Sequence, residues 1–178
     1  PWRAPGANAN AFARESQIDV MAAKAGVDPV EFRLNNLPND ATGQIMRRVL
    51  QAAAKAFGWT PKAGPSGRGF GVALGTDTGT HCANMAEVKV DKATGKIQVV
   101  RLLAVQDMGV CVNHEGSIQQ MEGCLMMGMG YALAEDVHFK NGEVLDTNFD
   151  TYQLPRFSWM PKLETIILDS PDLPAQGG

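Results

Sequence analysis

The chain has 178 residues, 44% of them hydrophobic, which is enough for one domain with an ordinary core. Its formal net charge is −3 and its Lys and Arg residues form no cluster, so nucleic acid is not an expected partner. No apolar run approaches the roughly 20 residues that span a bilayer. The three cysteines form no CxxC pair, which argues against a zinc ribbon or an iron–sulfur cluster held by this chain alone. Small, buried hydrophobic roles are expected for Cys82, Cys111 and Cys124.

Three helices are predicted in the first third of the chain, because apolar residues recur there near the 3.6-residue period. They cover residues 8–26, a shorter stretch from Pro29 onward, and residues 42–58. Asn8 or Asn10 is the expected N-cap of the first helix. Asp28, followed by Pro29 at the first helical position, is the expected N-cap of the second. Residues 1–60 are therefore expected to form a helical segment.

The rest of the chain predicts strands around one long helix. The predicted strands are residues 69–76, 85–90, 97–105, 137–139, 144–145 and 163–169. Residues 91–96, with Gly95 available for a positive φ, and the pair Asn141-Gly142 predict hairpins. The long helix is expected from about residue 115 to 135. This order predicts an α+β fold over residues 68–178, with a mostly antiparallel sheet crossed by the helix.

Two places in the chain carry candidate binding residues. Arg3 stands beside a Pro/Gly turn and presents five N–H donors that suit a phosphate or an oxo-anion, with an ordinary surface role as the alternative. Gln120 has an amide that can both donate to and accept from a heterocycle, and Gly123 allows close approach. The alternative for this helix is packing in the core, with the contacts made by Gly123, Gly128, Gly130, Met121, Met126, Met127 and Met129.

The remaining polar residues do not form a recognisable catalytic or metal-binding pattern. His81, His114 and His138 lie in separate elements without the spacing of a metal site, so structural or surface roles are expected and no metal ligand is predicted. Asp107 and Glu122 do not form an acid/base pair. Glu122 is expected to satisfy amides at the start of the long helix.

Several segments, in order, resemble the large subunit of the molybdenum hydroxylases, the xanthine dehydrogenase/aldehyde oxidase family. The segments are Arg-x-x-Gly at residues 3–6, the stretches 10–12 and 15–16, Asp-Pro-x-Glu-Phe-Arg at 28–33, Asp-x-Gly at 107–109 with Asn113, Gln-x-Glu-Gly at 120–123 with Gly-x-Gly at 128–130, Thr-Tyr at 151–152 with Pro155, and Met-Pro at 160–161. Together they extend over nearly the whole chain. The run from Arg33 through Trp59 to Arg68 is most similar to the isoquinoline 1-oxidoreductase type.

The resemblance implies a cofactor, partners and a reaction. Arg3 would contact molybdopterin near the metal, and Gln120 would hydrogen-bond the cofactor, with backbone of Gly109 or Gly123 nearby. In bacterial members the expected cofactor is the cytosine dinucleotide form with molybdenum, and electrons leave through [2Fe–2S] clusters on a partner subunit or domain. The implied partners are the remainder of the large subunit, a small iron–sulfur subunit and a small N-heterocycle or aldehyde. The implied reaction hydroxylates that substrate with water as the oxygen source.

Three departures from the family pattern affect what this chain can do alone. The catalytic Glu is expected in a Gly-Glu-Pro-like segment just beyond Gly178, so no catalytic residue is assigned within the chain. The Gly-rich cofactor segments of the family's earlier half are missing, and His114 stands where the family has Pro after Asn113. The 178 residues alone are therefore expected to be inactive. The alternatives are a non-catalytic binding or assembly module that keeps the fold without the metal, and an unrelated α+β domain.

Overall fold

The computed structural model describes residues 4, 6–60 and 65–177. These residues form the helices α1 Ala7–Ala25, α2 Pro29–Asn36, α3 Ala41–Phe57 and α4 His114–Leu133, and the strands β1 Arg68–Asp77, β2 Thr80–Val90, β3 Ile97–Asp107, β4 Phe139–Lys140, β5 Glu143–Val144 and β6 Lys162–Ile167. A short 3₁₀ turn, Phe157–Trp159, precedes β6. The α+β prediction is confirmed. The largest difference in bounds is at β2, which begins at Thr80 rather than at residue 85.

Four strands make the main sheet, in the order β1-β2-β3-β6. The first three are joined as antiparallel neighbours, whereas β6 pairs with β3 in parallel. The predicted hairpin between β2 and β3 is confirmed: Asp91 N–H donates to the Lys96 carbonyl at 2.9 Å, and Gly95 has a φ of 74°. Because parallel neighbours need a crossover, α4 and the β4–β5 hairpin lie in the long connection between β3 and β6.

Helix α3 packs on one face of the sheet and builds the main core with it. The buried members are Val30 from α2, Val49, Leu50, Ala53 and Phe57 from α3, and Val72, Leu74, Ala83, Met85, Leu103 and Val105 from β1, β2 and β3. The guanidinium of Arg101 lies over the Phe57 ring, 4.5 Å from its centroid. Helix α4 instead contacts β3 and β6. One core joins α3 to the strands. The predicted division into a helical segment up to residue 60 and an α+β segment from residue 68 stays a prediction.

Helix α1 lies beside the free edge of β1 and pairs with the backbone of Leu74 there. Arg14 donates to the Leu74 carbonyl at 2.8 Å, and the Glu15 carboxylate accepts the Leu74 N–H at 2.9 Å. Arg33, which is buried, donates to Glu15 at 3.0 Å and to Asp19 at 2.7 Å. The two acidic side chains therefore compensate a buried cation while one of them also caps a strand edge.

The Asp-Pro motif at α2 is structural. Asp28 accepts the Val30 N–H at 2.9 Å, which confirms the predicted N-cap, and the same carboxylate accepts the Trp59 indole N–H at 3.0 Å. One side chain thus fixes the start of α2 and the chain that leaves α3. Within the described residues, no helix combines the length and hydrophobicity that a membrane crossing requires.

The predicted N-cap of α1 is wrong. Asn8 and Asn10 lie inside the helix, and their backbone N–H groups donate to the carbonyls of Ala4 and Gly6 at 3.0 and 3.1 Å. Gly6 is the cap residue, with a φ of 80° and no side-chain cap hydrogen bond. A residue without a Cβ adopts this φ at little cost, so the cap lies two residues before Asn8 and four before Asn10.

Candidate cofactor-binding site

The turn that follows β3 is held by a buried carboxylate. Asp107 Oδ1 accepts the Gly109 N–H at 3.0 Å, and Oδ2 accepts the Ser170 hydroxyl at 3.0 Å and a hydrogen bond from Arg48. Asp107 is almost completely buried, so these donors replace the water that a carboxylate requires. The Asp-x-Gly motif therefore ties α3, the turn and the segment after β6 together.

Gly109 is enclosed by the chain after β6. Its φ is 70°, and a Cβ placed there would lie 2.0 Å from the Pro174 carbonyl oxygen. The backbone pairs on both sides, since Val110 N–H donates to Leu173 at 3.3 Å and Gln176 N–H donates to Met108 at 2.8 Å. The Gly109 N–H already donates to Asp107 and is not available to a ligand. A contact between a cofactor and the remaining backbone atoms of Gly109 stays a prediction.

Helix α4 begins with a side-chain cap that the sequence reasoning assigned to the wrong residue. Asn113 accepts the Gly116 N–H at 2.9 Å, whereas Glu122 lies more than two turns inside the helix and cannot reach its first amides. His114 occupies the first helical position. Pro is well tolerated there, because that N–H has no partner within the helix. The departure from the family's Asn-Pro pattern therefore leaves the turn intact.

One face of α4 is open where close packing was the alternative prediction. Gly123 and Gly128 are exposed, and a Cβ added at either position would meet nothing within 4 Å. Gly130 alone of the predicted glycines packs closely, with Pro155 atoms 2.9 Å from an added Cβ. Of the four methionines predicted to fill the core, Met121 and Met129 are buried. Met126 and Met127 are half-buried.

The open face carries the predicted cofactor ligand. Gln120 and Gly123 are three residues apart, so they share one side of the helix. Gln120 is exposed, and its amide has no hydrogen-bond partner within the described part of the chain. A free amide next to glycine positions suits a large planar group such as a pterin. Arg3 lies outside the described residues.

The cysteines divide between two environments. Cys82 and Cys111 are partly buried, whereas Cys124 is exposed on α4, so its predicted buried role is wrong. Burial raises the pKa of the Cys82 thiol, which keeps it protonated and unreactive at neutral pH. Among residues 4, 6–60 and 65–177, no group of three or more His, Cys, Asp or Glu side chains could hold a metal ion.

Sequence reasoning missed a pair of buried polar groups at the start of β2. Thr80 Oγ1 and His81 Nδ1 are buried and have no hydrogen-bond partner among the described residues. His81 faces Asp107 across the sheet, and a Cβ at Gly79 would lie 2.4 Å from the Gln176 side chain. The β1–β2 turn thus meets the Asp-x-Gly turn and the chain after β6. Buried polar atoms normally find partners, so this end of the sheet is a second part of the candidate site.

Comparison with known proteins identifies the family. The family model described as the molybdopterin cofactor-binding domain matches residues 13–161. The chain is 30% identical to a nicotinate dehydrogenase chain of Pseudomonas putida, over 94% of this chain and 15% of that protein. It is 28% identical to the beta chain of isoquinoline 1-oxidoreductase from Brevundimonas diminuta, over 89% of this chain and 20% of that protein. The chain therefore spans a fifth or less of these relatives.

A solved structure shares the fold. Quinoline 2-oxidoreductase from Pseudomonas putida 86 superposes with a TM-score of 0.52 and 25% identity, over 55% of this chain and 13% of that chain. The fold and the matched residues define a segment of the molybdenum hydroxylase type. The chain belongs to the molybdopterin cofactor-binding domain family. The resemblance predicted from its motifs is confirmed.

Proposed function

We propose that the chain is part of the molybdenum-binding large subunit of an enzyme that hydroxylates an N-heterocycle or an aldehyde. The observation that carries this proposal is the open face of α4, where the unpaired Gln120 amide lies beside Gly123 within the region matched by the molybdopterin family. Relatives named for nicotinate and isoquinoline support the heterocycle class, and one named aldehyde oxidoreductase supports the other.

The chain's own residues would hold and orient the cofactor. Gln120 would hydrogen-bond the pterin, Gly123 would let it approach the helix, and Arg3 would contact it near the metal. In the proposed reaction a substrate C–H and water become C–OH, with the release of two protons and two electrons. The bound molybdenum centre would accept the electron pair. No catalytic base is assigned within the chain, and the 178 residues alone are proposed to be inactive.

The proposed cofactor is the cytosine dinucleotide form of molybdopterin. The proposed electron acceptors are [2Fe–2S] clusters on a small iron–sulfur subunit or domain, because this chain's cysteines offer no cluster motif. Acid hydrolysis of the purified full-length enzyme, followed by chromatography of the released nucleotide, tests the cofactor form. Release of CMP is expected, and release of another nucleotide or of none contradicts the assignment.

A matched pair of glutamines tests the role of Gln120. Both Gln119 and Gln120 are exposed on α4, but they point about 100° apart around the helix. In the full-length subunit, Gln120→Ala should lower the molybdenum content by about 3- to 10-fold under limiting cofactor, the loss of one hydrogen bond, while Gln119→Ala should leave it unchanged. Elemental mass spectrometry of the purified proteins measures both. Equal molybdenum in the two variants contradicts a cofactor contact by Gln120.

The second candidate is a non-catalytic binding or assembly module that keeps the fold without the metal. The molybdenum content of the unmodified full-length protein separates the two candidates. About one molybdenum per large subunit, with bound pterin, supports the hydroxylase. No molybdenum, from cells that load other molybdenum enzymes, supports the module and leaves Gln120 a structural residue.

A further inference from the structure

Exposed apolar side chains are concentrated in the chain between α4 and β6. More than half of the large apolar side chains that are exposed within the described residues lie between Tyr131 and Met160. They include Phe139, Leu145, Phe149, Phe157, Trp159 and Met160. Phe157 is 92% exposed. We call these side chains the 131–160 surface. Such a concentration of exposed apolar side chains in one segment of a folded chain indicates an interaction site.

The surface is held in shape by polar contacts between its own parts. The Tyr152 hydroxyl donates to Glu135 at 2.7 Å, and the His138 ring pairs with Asp146 at 2.8 Å. Pro155 packs on Gly130 at the end of α4, as the contact of an added Cβ shows. Two of these contacts connect the end of α4 to residues 152–155, and the third closes the base of the β4–β5 hairpin. The backbone that carries the exposed apolar side chains is therefore held by polar and packing contacts within the segment itself.

We propose that the 131–160 surface docks onto the remainder of the molybdenum-binding subunit. The inference rests on the proposed function, because it takes the chain to be one segment of a polypeptide as long as its relatives. This chain spans 15% of one such relative and 20% of another, so most of each polypeptide lies outside the matched segment. A covalently attached neighbour has a high effective concentration, which favours it over a separate protein.

The charges near the surface argue against a membrane as the occupant. The segment carries more acidic than basic side chains; the acidic ones are Glu135, Asp136, Glu143, Asp146 and Asp150, against Lys140 and Arg156. Helices and loops that lie on a bilayer present Lys and Arg to its anionic headgroups. Apolar side chains interspersed with polar ones of either sign are instead compatible with contacts between domains.

Methionine oxidation in the full-length subunit tests the proposal. Met160 is 52% exposed in this chain, whereas Met121 is 4% exposed. The full-length protein is purified without its partner, treated with hydrogen peroxide and analysed by mass spectrometry, with the urea-unfolded protein as the fully reactive reference. If the surface is covered, Met160 in the folded full-length protein should be oxidised as slowly as the buried Met121. Oxidation at the rate of the unfolded reference overturns the proposal.

Additional oxidation experiments identify what covers the 131–160 surface and distinguish failure of this inference from failure of the proposed function. Met160 could instead become protected only when the iron–sulfur partner, lipid vesicles or more concentrated protein is added. That result would overturn the proposal that the rest of the same subunit covers the surface. Phe157→Asp should restore Met160 oxidation, whereas Ile97→Asp, a control at an exposed apolar residue of β3, should not. The readout needs no cofactor. Full-length protein without molybdenum but with Met160 protected would contradict the hydroxylase while keeping the docking surface.

Discussion

Two regions of the molecule differ in where their apolar side chains lie. In residues 7–107, α3 and the sheet cover each other, and the buried Arg33 has two carboxylate partners. In residues 131–160, the backbone is held by contacts between polar side chains, and the apolar ones face outward. The first region takes its stability from burial within the chain. The second has its shape set locally, and the burial of its apolar surface must come from a neighbour.

The difference has a direct consequence for mutations. A side chain removed from the first region leaves a cavity or an unpaired charge, because its surroundings are already packed. A side chain removed from the second region leaves only solvent. Urea denaturation of the 178-residue chain measures both effects on one scale, and matched pairs of substitutions test the comparison.

A large loss is expected for Arg33→Ala. The variant removes the buried partner of Glu15 and leaves that buried carboxylate only the half-exposed Arg14 as a cation, which should reduce the free energy of unfolding by about 3 kcal/mol. The control is Asp19→Ala at the half-exposed partner of the same guanidinium, where about 1 kcal/mol or less is expected. Similar losses in the two variants would show that burial of the ion pair does not set its importance.

The same substitution in each region gives the next contrast. Leu50 is fully buried against the sheet, and Leu50→Ala should cost about 2–5 kcal/mol by loss of burial and creation of a cavity. Leu145 is 53% exposed, and Leu145→Ala should change the free energy of unfolding by only about 0.5 kcal/mol. A large loss at Leu145 would mean that residues 131–160 contribute to the folding of the isolated chain.

The turn after β3 should respond like the first region. Gly109→Ala combines an unfavourable φ with a collision at Pro174, so a loss of about 2–4 kcal/mol is expected. Gly95 has a similar φ of 74° but open space around it, so Gly95→Ala should cost only about 1–2 kcal/mol. The same urea measurement applies. Equal losses would show that the chain after β6 moves aside without cost.

Most elements that depend on neighbouring residues were predictable from the sequence, although the caps of α1 and α4 were assigned to the wrong residues. The Asp28 cap, the helix from Pro29 and the turn at Gly95 all depend on residues within a few positions of each other, and all are confirmed. The α+β order followed from the change of apolar period between the helices and the strands. The family followed from several motifs in a fixed order, each of them weak alone.

Contacts between distant residues were not predictable. Arg48 and Ser170 meet at Asp107 from positions 59 before and 63 after it, and no local pattern brings them together. The sequence left the choice between an open and a packed face of α4 undecided for a related reason. Glycine allows both close packing and open space, and only the position of Pro155 against Gly130, with nothing against Gly123, separates the two. The site residues Arg3, Gly109, Gln120 and Gly123 stay predictions for the experiments above.

The smallest effect is expected at the exposed pair His138 and Asp146. The hydrogen bond to Asp146, with the charges of Asp146 and Asp136, raises the pKa of His138, and the hydrogen bond from the His138 backbone lowers the pKa of Asp146. The stabilisation from His138 is complete below its unfolded pKa of about 6.5 and is lost as the pH rises through its folded pKa. The stabilisation from Asp146 is complete above its unfolded pKa of about 4 and is lost as the pH falls through its folded pKa.

The link between His138 and Asp146 should therefore be strongest between about pH 4 and 6.5 and weaken on either side. An NMR titration of the His138 ring measures its pKa, and Asp146→Asn should lower that pKa because it removes both the hydrogen bond and the charge. Asp136→Asn should lower it less, since Asp136 contributes only through its charge at 3.5 Å. A His138 pKa that does not respond to Asp146→Asn would mean that polar contacts do not hold the β4–β5 hairpin, and that residues 131–160 take their shape from the neighbour that covers them.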